Sequence, residues 1–296
     1  MTPSLRFSLA ASLLLAASAC SSDPAETTGG AGGSGASASG GAAGGSSAPQ
    51  TCPPGPGRET PADARFVEDV SARIVDADGE PTSSGLVQIC GKNLCINADV
   101  PDSGVLAETV NDDFDAPALK YGDGKQWGKL AVGLGDGTSE LGTLVAVRLP
   151  DFEQGVELRA GAAATSDDVT LELASDAVVQ FDTLTYEDES QLSFRAARLP
   201  SAAIDALGQD FAVVYTLAPV ETHLCPGASV SLSNSAELEP GTEVELFMLG
   251  LDVLEEWAGY GQWQKVSDGV VSEDGASIAF DDPLPVLTTI GVRVKP

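Results

Sequence analysis

Basic side chains are scarce in this chain. Fifteen Lys and Arg stand against 44 Asp and Glu, a net charge of −29 over 296 residues. A surface so acidic gains nothing from counterion release at a phosphate backbone, which excludes nucleic acid as a partner. Anionic lipid headgroups repel it as well, so any membrane attachment has to be hydrophobic or covalent. Histidine occurs once, at His223. A Ser–His–Asp or Cys–His hydrolase would have to be built on it, and no G-x-S-x-G elbow lies in the globular part. Aromatic residues make up only 5%, while 33 glycines and 18 prolines interrupt the chain, a composition unsuited to a helix bundle or coiled coil. The apolar run at the start, Phe7 to Ala17, is eleven residues long and too short to span a bilayer as a helix.

What that run does offer is a processing signal. Arg6 and the amino terminus are positive, the apolar stretch follows, and Ser18 and Ala19 precede Cys20, the pattern of a secretory signal peptide over residues 1–19. LAASAC resembles the lipobox of bacterial lipoproteins, with Ala17 where Leu is more usual. The resemblance implies that Cys20 is acylated and becomes the first mature residue, anchoring the protein to a membrane. Acyl chains at about 0.8 kcal/mol per buried CH₂ make such an anchor essentially permanent. Ser21 after the cysteine, in that family, points to the outer membrane.

Residues 20–60 read as a lipidated tether. From Gly29 to Gly45 only Gly, Ala and Ser occur, and such a segment cannot bury enough surface to offset its ordering entropy. Its expected reach as a coil is roughly 30–37 Å. CPPGPGR, Cys52 to Arg58, stiffens the chain as it approaches the head. With Cys20 assigned to lipid, Cys52, Cys90, Cys95 and Cys225 form an even set in an exported protein and favour two disulfides over zinc, since no C-x-x-C pair is present. Of three pairings, Cys90–Cys95 across GKNL and Cys52–Cys225 are preferred.

The head reads as all-β, in two sandwich-type modules, 61–150 and 151–296, divided near Pro150. Apolar side chains recur with period two at Val70, Ala72 and Ile74, at Val87 and Ile89, and at Val169, Leu171 and Leu173. The same holds for Val230 and Leu232, for Val244, Leu246 and Met248, and for Ile290, Val292 and Val294. Turn sequences such as DADGEP, GDGK, EPGT and SEDG lie between them. One short helix is expected, with Ser201 capping AAIDALG and Gly208 closing it.

In the first module, ARIVDADGEPTSSGLVQI places Ile74, Asp76, Gly79, Pro81, Gly85, Val87 and Ile89 so that it resembles the opening of the carboxypeptidase-regulatory or transthyretin-like sandwich. That resemblance implies an accessory, non-catalytic module. GAAATSDDVTLELASDAV is similar in texture to the start of ZU5-type β domains. His223-Leu224-Cys225 resembles the tripeptide cut by autoproteolytic β domains, in which the third residue attacks its own preceding carbonyl. Here that nucleophile requires Cys225 as a free thiol.

Two further ligand chemistries have candidate residues. Acidic turns at Asp76, Asp78 and Glu80, and at Asn111, Asp112, Asp113 and Asp115, offer oxygen ligands for Ca²⁺, although neither completes a calcium-loop pattern and turns favour Asp in any case. Trp257, Tyr260 and Trp263 in EEWAGYGQWQKV are candidates for a polysaccharide-binding surface, with the parity of 260 opposite to that of the other two. No cofactor and no catalytic set is expected. The sequence thus points to a non-enzymatic, lipid-anchored envelope protein whose β modules meet a protein or polysaccharide partner at the cell surface.

Overall fold

Strands of three to twelve residues, most of them joined by turns, build the described part of the head. The computed structural model describes residues 51–58, 63–182, 185–186, 188–252, 254 and 256–296. Cys20, the signal segment and the tether up to residue 50 lie outside the described residues.

The first seven strands are β1 (Ala64–Val75), β2 (Val87–Cys90), β3 (Cys95–Ala98), β4 (Val105–Asp115), β5 (Ala118–Tyr121), β6 (Leu130–Gly133) and β7 (Gly137–Val145). They form two sheets, ordered β4-β1-β7 and β3-β2-β5-β6, with β1 and β7 parallel and the other pairs antiparallel. Val70 and Ile74 on β1 and Val87 and Ile89 on β2 are buried, as their alternation requires. The turn leaving β1 has the expected chemistry. The Asp76 carboxylate accepts the N–H groups of Asp78 and Glu80, both at 2.9 Å, Gly79 takes a φ of +85°, and Pro81 bridges back to Val75.

The later strands are β8 (Ala163–Ser166), β9 (Val169–Glu172), β10 (Val178–Gln180), β11 (Arg195–Arg198), β12 (Val213–Ala218), β13 (His223–Ser233), β14 (Glu243–Leu249), β15 (Trp263–Val271), β16 (Ser277–Phe280), β17 (Leu284–Val286) and β18 (Ile290–Val294). All eleven belong to one sheet, with the path β11-β12-β18-β14-β15-β16-β13-β9-β8, and β10 and β17 both pair with β13. The fold is therefore all-β. The helix α1 (Ser201–Ala206) closes at Gly208 with a φ of +64°, but its cap is Pro200 and Ser201 is already its first helical residue. Proline fits that boundary because its own φ is fixed and it needs no N–H partner.

Pro150 lies in the passage between the two groups of sheets, and residues 48–296 hold together as one compact unit. A buried cluster runs across that passage, joining Ile74, Ile89 and Leu119 to Leu199, Ile204, Phe211 and Phe247. Polar groups join the halves as well. The Thr289 hydroxyl donates to the Lys129 carbonyl at 2.8 Å, and Tyr186 donates to the Gly124 carbonyl at 2.8 Å while accepting the Val220 N–H at 2.7 Å.

Both expected disulfides are present, Cys52–Cys225 and Cys90–Cys95. The second joins neighbours across the β2–β3 hairpin. The first pins the end of the tether. Cys52 N–H donates to the Gln180 amide oxygen at 2.8 Å, and the N–H groups of Gly55 and Gly57 donate to the Glu256 carboxylate and carbonyl at 3.1 and 3.0 Å. Residues 52–57, grouped with the coil on composition, are thus bonded to the head.

Candidate functional site

That pinned segment borders two recesses of the head. β13 starts at His223 beside Thr222, and the loop after β14 returns through residues 256–258, so His223 and Glu256 face each other with Nδ1 3.7 Å from Oε2. A small cavity of about 30 Å³ lies among Glu221, His223, Asp252, Glu256, Trp257 and Leu287. It has room for one or two waters and excludes a sugar ring. On the other side of Trp257 a groove of about 280 Å³ runs along Pro56, Arg58, Met248, Gln264, Lys265, Pro283 and Pro285. That is near the lower end of ligand-pocket sizes. Trp257 and Met248 line both and form the wall between them, and the indole N–H of Trp257 is buried with no acceptor among the described residues.

Electrostatics differ across that wall. Asp252 has its carboxyl pushed up, first by burial and then by the negative charges of Glu221 and Glu256. Glu221 is held by Lys129 at 3.1 Å. The groove is bordered by cationic groups, Arg58 and Lys265, but the Lys265 ammonium already contacts Glu245 and Asp268 at 3.0 and 2.8 Å. Behind the loop, Lys120 on β5 is buried. Its ammonium donates to the Leu251 carbonyl at 3.1 Å and lies 4.6 Å from the centre of the Tyr260 ring. Burial first, and then the positive charge of Lys129, lower its pKa to about 8 against the pull of Glu221 and Asp252.

The three aromatic candidates do not come together on one surface. Trp257 borders the groove, Tyr260 is fully buried under Lys120, and Trp263 packs its ring 4.6 Å from that of Phe211. The parity of the sequence already separated Tyr260 from the tryptophans. What separates Trp263 from Trp257 is that Trp263 opens β15 while Trp257 precedes the turn. Cys225, two residues from His223, has its sulfur bonded to Cys52, so the thiol that self-cleavage before Cys225 requires is absent. In the acidic turns, Asp76 is occupied by backbone N–H groups, and the Asp112 carboxylate accepts the N–H of Asp113. Among the described residues no three His, Cys, Asp or Glu side chains converge as metal ligands, and no helix is long and apolar enough to cross a membrane.

One feature escaped the sequence altogether. Arg195, at the start of β11, is 1% exposed, and its guanidinium lies over the Phe152 ring with Cζ 4.1 Å from the centroid. Nothing in RAARLP marks this arginine as interior, because burial of a long cation depends on the partner loop that receives it.

No family model matches this sequence, and no curated protein does. Two solved structures show a remote likeness. A DUF3823 family protein from Bacteroides ovatus is 7% identical, with a TM-score of 0.20 over 73% of this chain and 96% of its own. A candidate carbohydrate-binding protein from Bacteroides uniformis is 8% identical, with a TM-score of 0.21 over 78% of this chain and 80% of its own. Likeness of that degree says nothing about what this chain does.

Proposed function

We propose that this chain is a non-catalytic envelope lipoprotein, held by lipid on Cys20 at the outer membrane, whose all-β head presents a binding groove beside Trp257. The observation that carries the reading is the Cys52–Cys225 clamp. It fixes the tether's end against β13, so that Pro56 and Arg58, the last residues of the anchor chain, are a wall of the groove. Oxidised cysteines accord with export. The lipobox and the Gly/Ala/Ser spacer account for attachment and stand-off. The test is acyl labelling in a bacterial host. Labelled palmitate should enter the wild-type protein in the membrane fraction and be lost from Cys20→Ala. A wild-type protein without label refutes the anchor.

A saccharide is the ligand chemistry that Trp257 favours. An indole beside a groove bordered by Arg58, Gln264 and Lys265 offers a sugar an aromatic surface to pack on and polar groups for its hydroxyls. Glucan, mannan and xylan oligosaccharides are the probes. One of them should change the tryptophan fluorescence of the wild type with a Kd below about 1 mM. Trp257→Phe, which keeps an aromatic wall, should lose the response at unchanged melting temperature. A flat titration across the panel overturns the saccharide reading and leaves a protein partner.

A further inference from the structure

The borders of the sheets offer a second kind of site, built from residues other than those of the Trp257 groove. A border strand carries backbone N–H and C=O groups that no neighbour satisfies, and folded proteins ordinarily cover or blunt them. This chain does so in two places. On β11, a border strand, the Ala196 N–H donates to the Ser166 hydroxyl at 2.9 Å and the Arg198 N–H to the Asp167 carboxylate at 3.0 Å. At the far end of β4 the β2–β3 turn provides the cover. Asn93 accepts the Asp115 N–H at 2.9 Å and donates to the Asp113 carbonyl at 3.0 Å, and the Lys92 N–H donates to the Asp115 carbonyl at 2.9 Å.

The first half of β4 has no such cover. β4 borders the sheet β4-β1-β7. The Ile74 N–H donates to the Gly104 carbonyl at 2.7 Å, and from there the register pairs Arg73 with Val105, Ser71 with Ala107 and Asp69 with Thr109. Along an antiparallel pair, successive residues alternate between bonding to the partner strand and facing away from it. Leu106 and Glu108 therefore bond to β1, and the N–H and C=O groups of Val105, Ala107 and Thr109 point out of the sheet edge. None of these backbone groups meets a partner among the described residues. Exposure agrees, since Val105, Ala107 and Thr109 are exposed while Leu106 is in the core. Residues 105–110 include neither proline nor lysine, two residues that commonly close an edge. The open stretch is about 20 Å long and ends at Asn111, whose φ of +53° interrupts the regular strand.

We infer that the edge at residues 105–110 accepts an extended, basic strand from a partner protein. Backbone pairing supplies the affinity in this mode of binding, and the flanking side chains supply the selectivity. Acids dominate that flank: Glu108 on β4, Glu68 and Asp69 on β1, and Asp112 and Asp113 just beyond Asn111. Arg73, opposite Val105, is the exception. The Thr109 hydroxyl donates to the Asp69 carboxylate at 2.7 Å and holds it beside the edge. A second copy of this chain, paired edge to edge, would bring the same acids together in molecules of net charge −29, and like charges on neighbouring strands oppose pairing. A strand with Lys or Arg at alternate positions meets the opposite field. The inference rests neither on the saccharide reading nor on the lipid anchor.

The probe is a nine-residue peptide alternating Lys with Thr and Val, titrated into the purified protein at about 150 mM salt to screen long-range attraction. It should bind with a Kd below about 1 mM and slow amide exchange at Ala107 and Thr109 about tenfold or more. The same peptide N-methylated at every amide keeps its charge, cannot donate to the edge, and should not bind. Ala107→Pro removes one outward N–H without breaking the ladder to β1. Its affinity for the Lys peptide should fall about tenfold or more, with little change in melting temperature. Should that variant fail to fold, Glu108→Lys leaves the backbone groups in place and should weaken the Lys peptide about threefold or more. Equal binding of the methylated and unmethylated peptides reduces the interaction to bulk charge and overturns the edge site. Unchanged exchange at Ala107 and Thr109 does the same. A dimer in sedimentation that Ala107→Pro dissolves overturns the basic partner and makes the occupant a second copy.

Discussion

Replacing Cys52 and Cys225 together by serine is expected to destabilise the head by about 5 kcal/mol. The two cysteines are 173 residues apart in sequence, and closing a loop of that size removes about 17 cal/mol/K from the unfolded chain. Cys90 and Cys95 are only five apart, and the same relation gives their bond about 2 kcal/mol. The long-range pair should therefore dominate, lowering the melting point by about 10–20 °C in a unit of this size. The two double-serine variants, melted side by side, check the ratio. A Cys52/Cys225 variant that melts with the wild type, or above the Cys90/Cys95 variant, refutes the account. The long bond also has a local role that can be read separately. Without it, the Gly55 and Gly57 contacts with Glu256 must hold the segment alone. Trypsin should then cut after Arg58 at a rate at which the wild type is intact.

Much of this architecture was legible in residue order, and what was hidden had physical reasons. β1, β2, β9 and β13 each have one face in the core, so their apolar positions alternate and declare themselves. β14 declared itself through Val244, Leu246 and Met248, whereas β12 is buried on both faces and VVYTLA shows no parity that identifies it as a strand. The pairing of Cys52 with Cys225 followed from counting cysteines and from the short Cys90–Cys95 spacing. The parallel approach of β7 to β1 and the central place of β13 had no such marker, because sheet order is set by contacts between distant residues. The site residues divide in the same way. Trp257 drew attention as an aromatic among glycines, whereas the wall opposite it, Pro56 and Arg58, belongs to a segment that composition assigns to the tether. Arg195 and Lys120 carry charges in four-residue strands, RAAR and ALKY, and only the loops packed over them put those charges in the interior.

The buried Lys120 leads to the second large effect, a stability that rises with pH where most acidic proteins gain nothing. Its folded pKa of about 8 lies below the ordinary 10.5. At pH 7 the side chain is protonated in both states, and the folded state bears the whole cost of the interior charge, about 3 kcal/mol for a displacement of this size. Between pH 8 and 10.5 the unfolded state binds more protons than the folded one, so stability climbs as pH rises. Above about pH 10 the buried phenols act the other way. Tyr121, Tyr186, Tyr215 and Tyr260 all have pKa values raised by burial, so the unfolded chain ionises first and stability falls. The gain is thus confined to pH 8–10 and amounts to about 2 kcal/mol. Lys120→Met removes the charge while leaving the Leu251 carbonyl unpaired, a loss of about 1 kcal/mol. That variant should be more stable than the wild type by about 1–2 kcal/mol at pH 7, and the two should converge near pH 10. Urea melts at pH 7, 8, 9 and 10 separate the curves. Parallel profiles for wild type and Lys120→Met would place the pH dependence elsewhere and return Lys120 to an ordinary ammonium pKa.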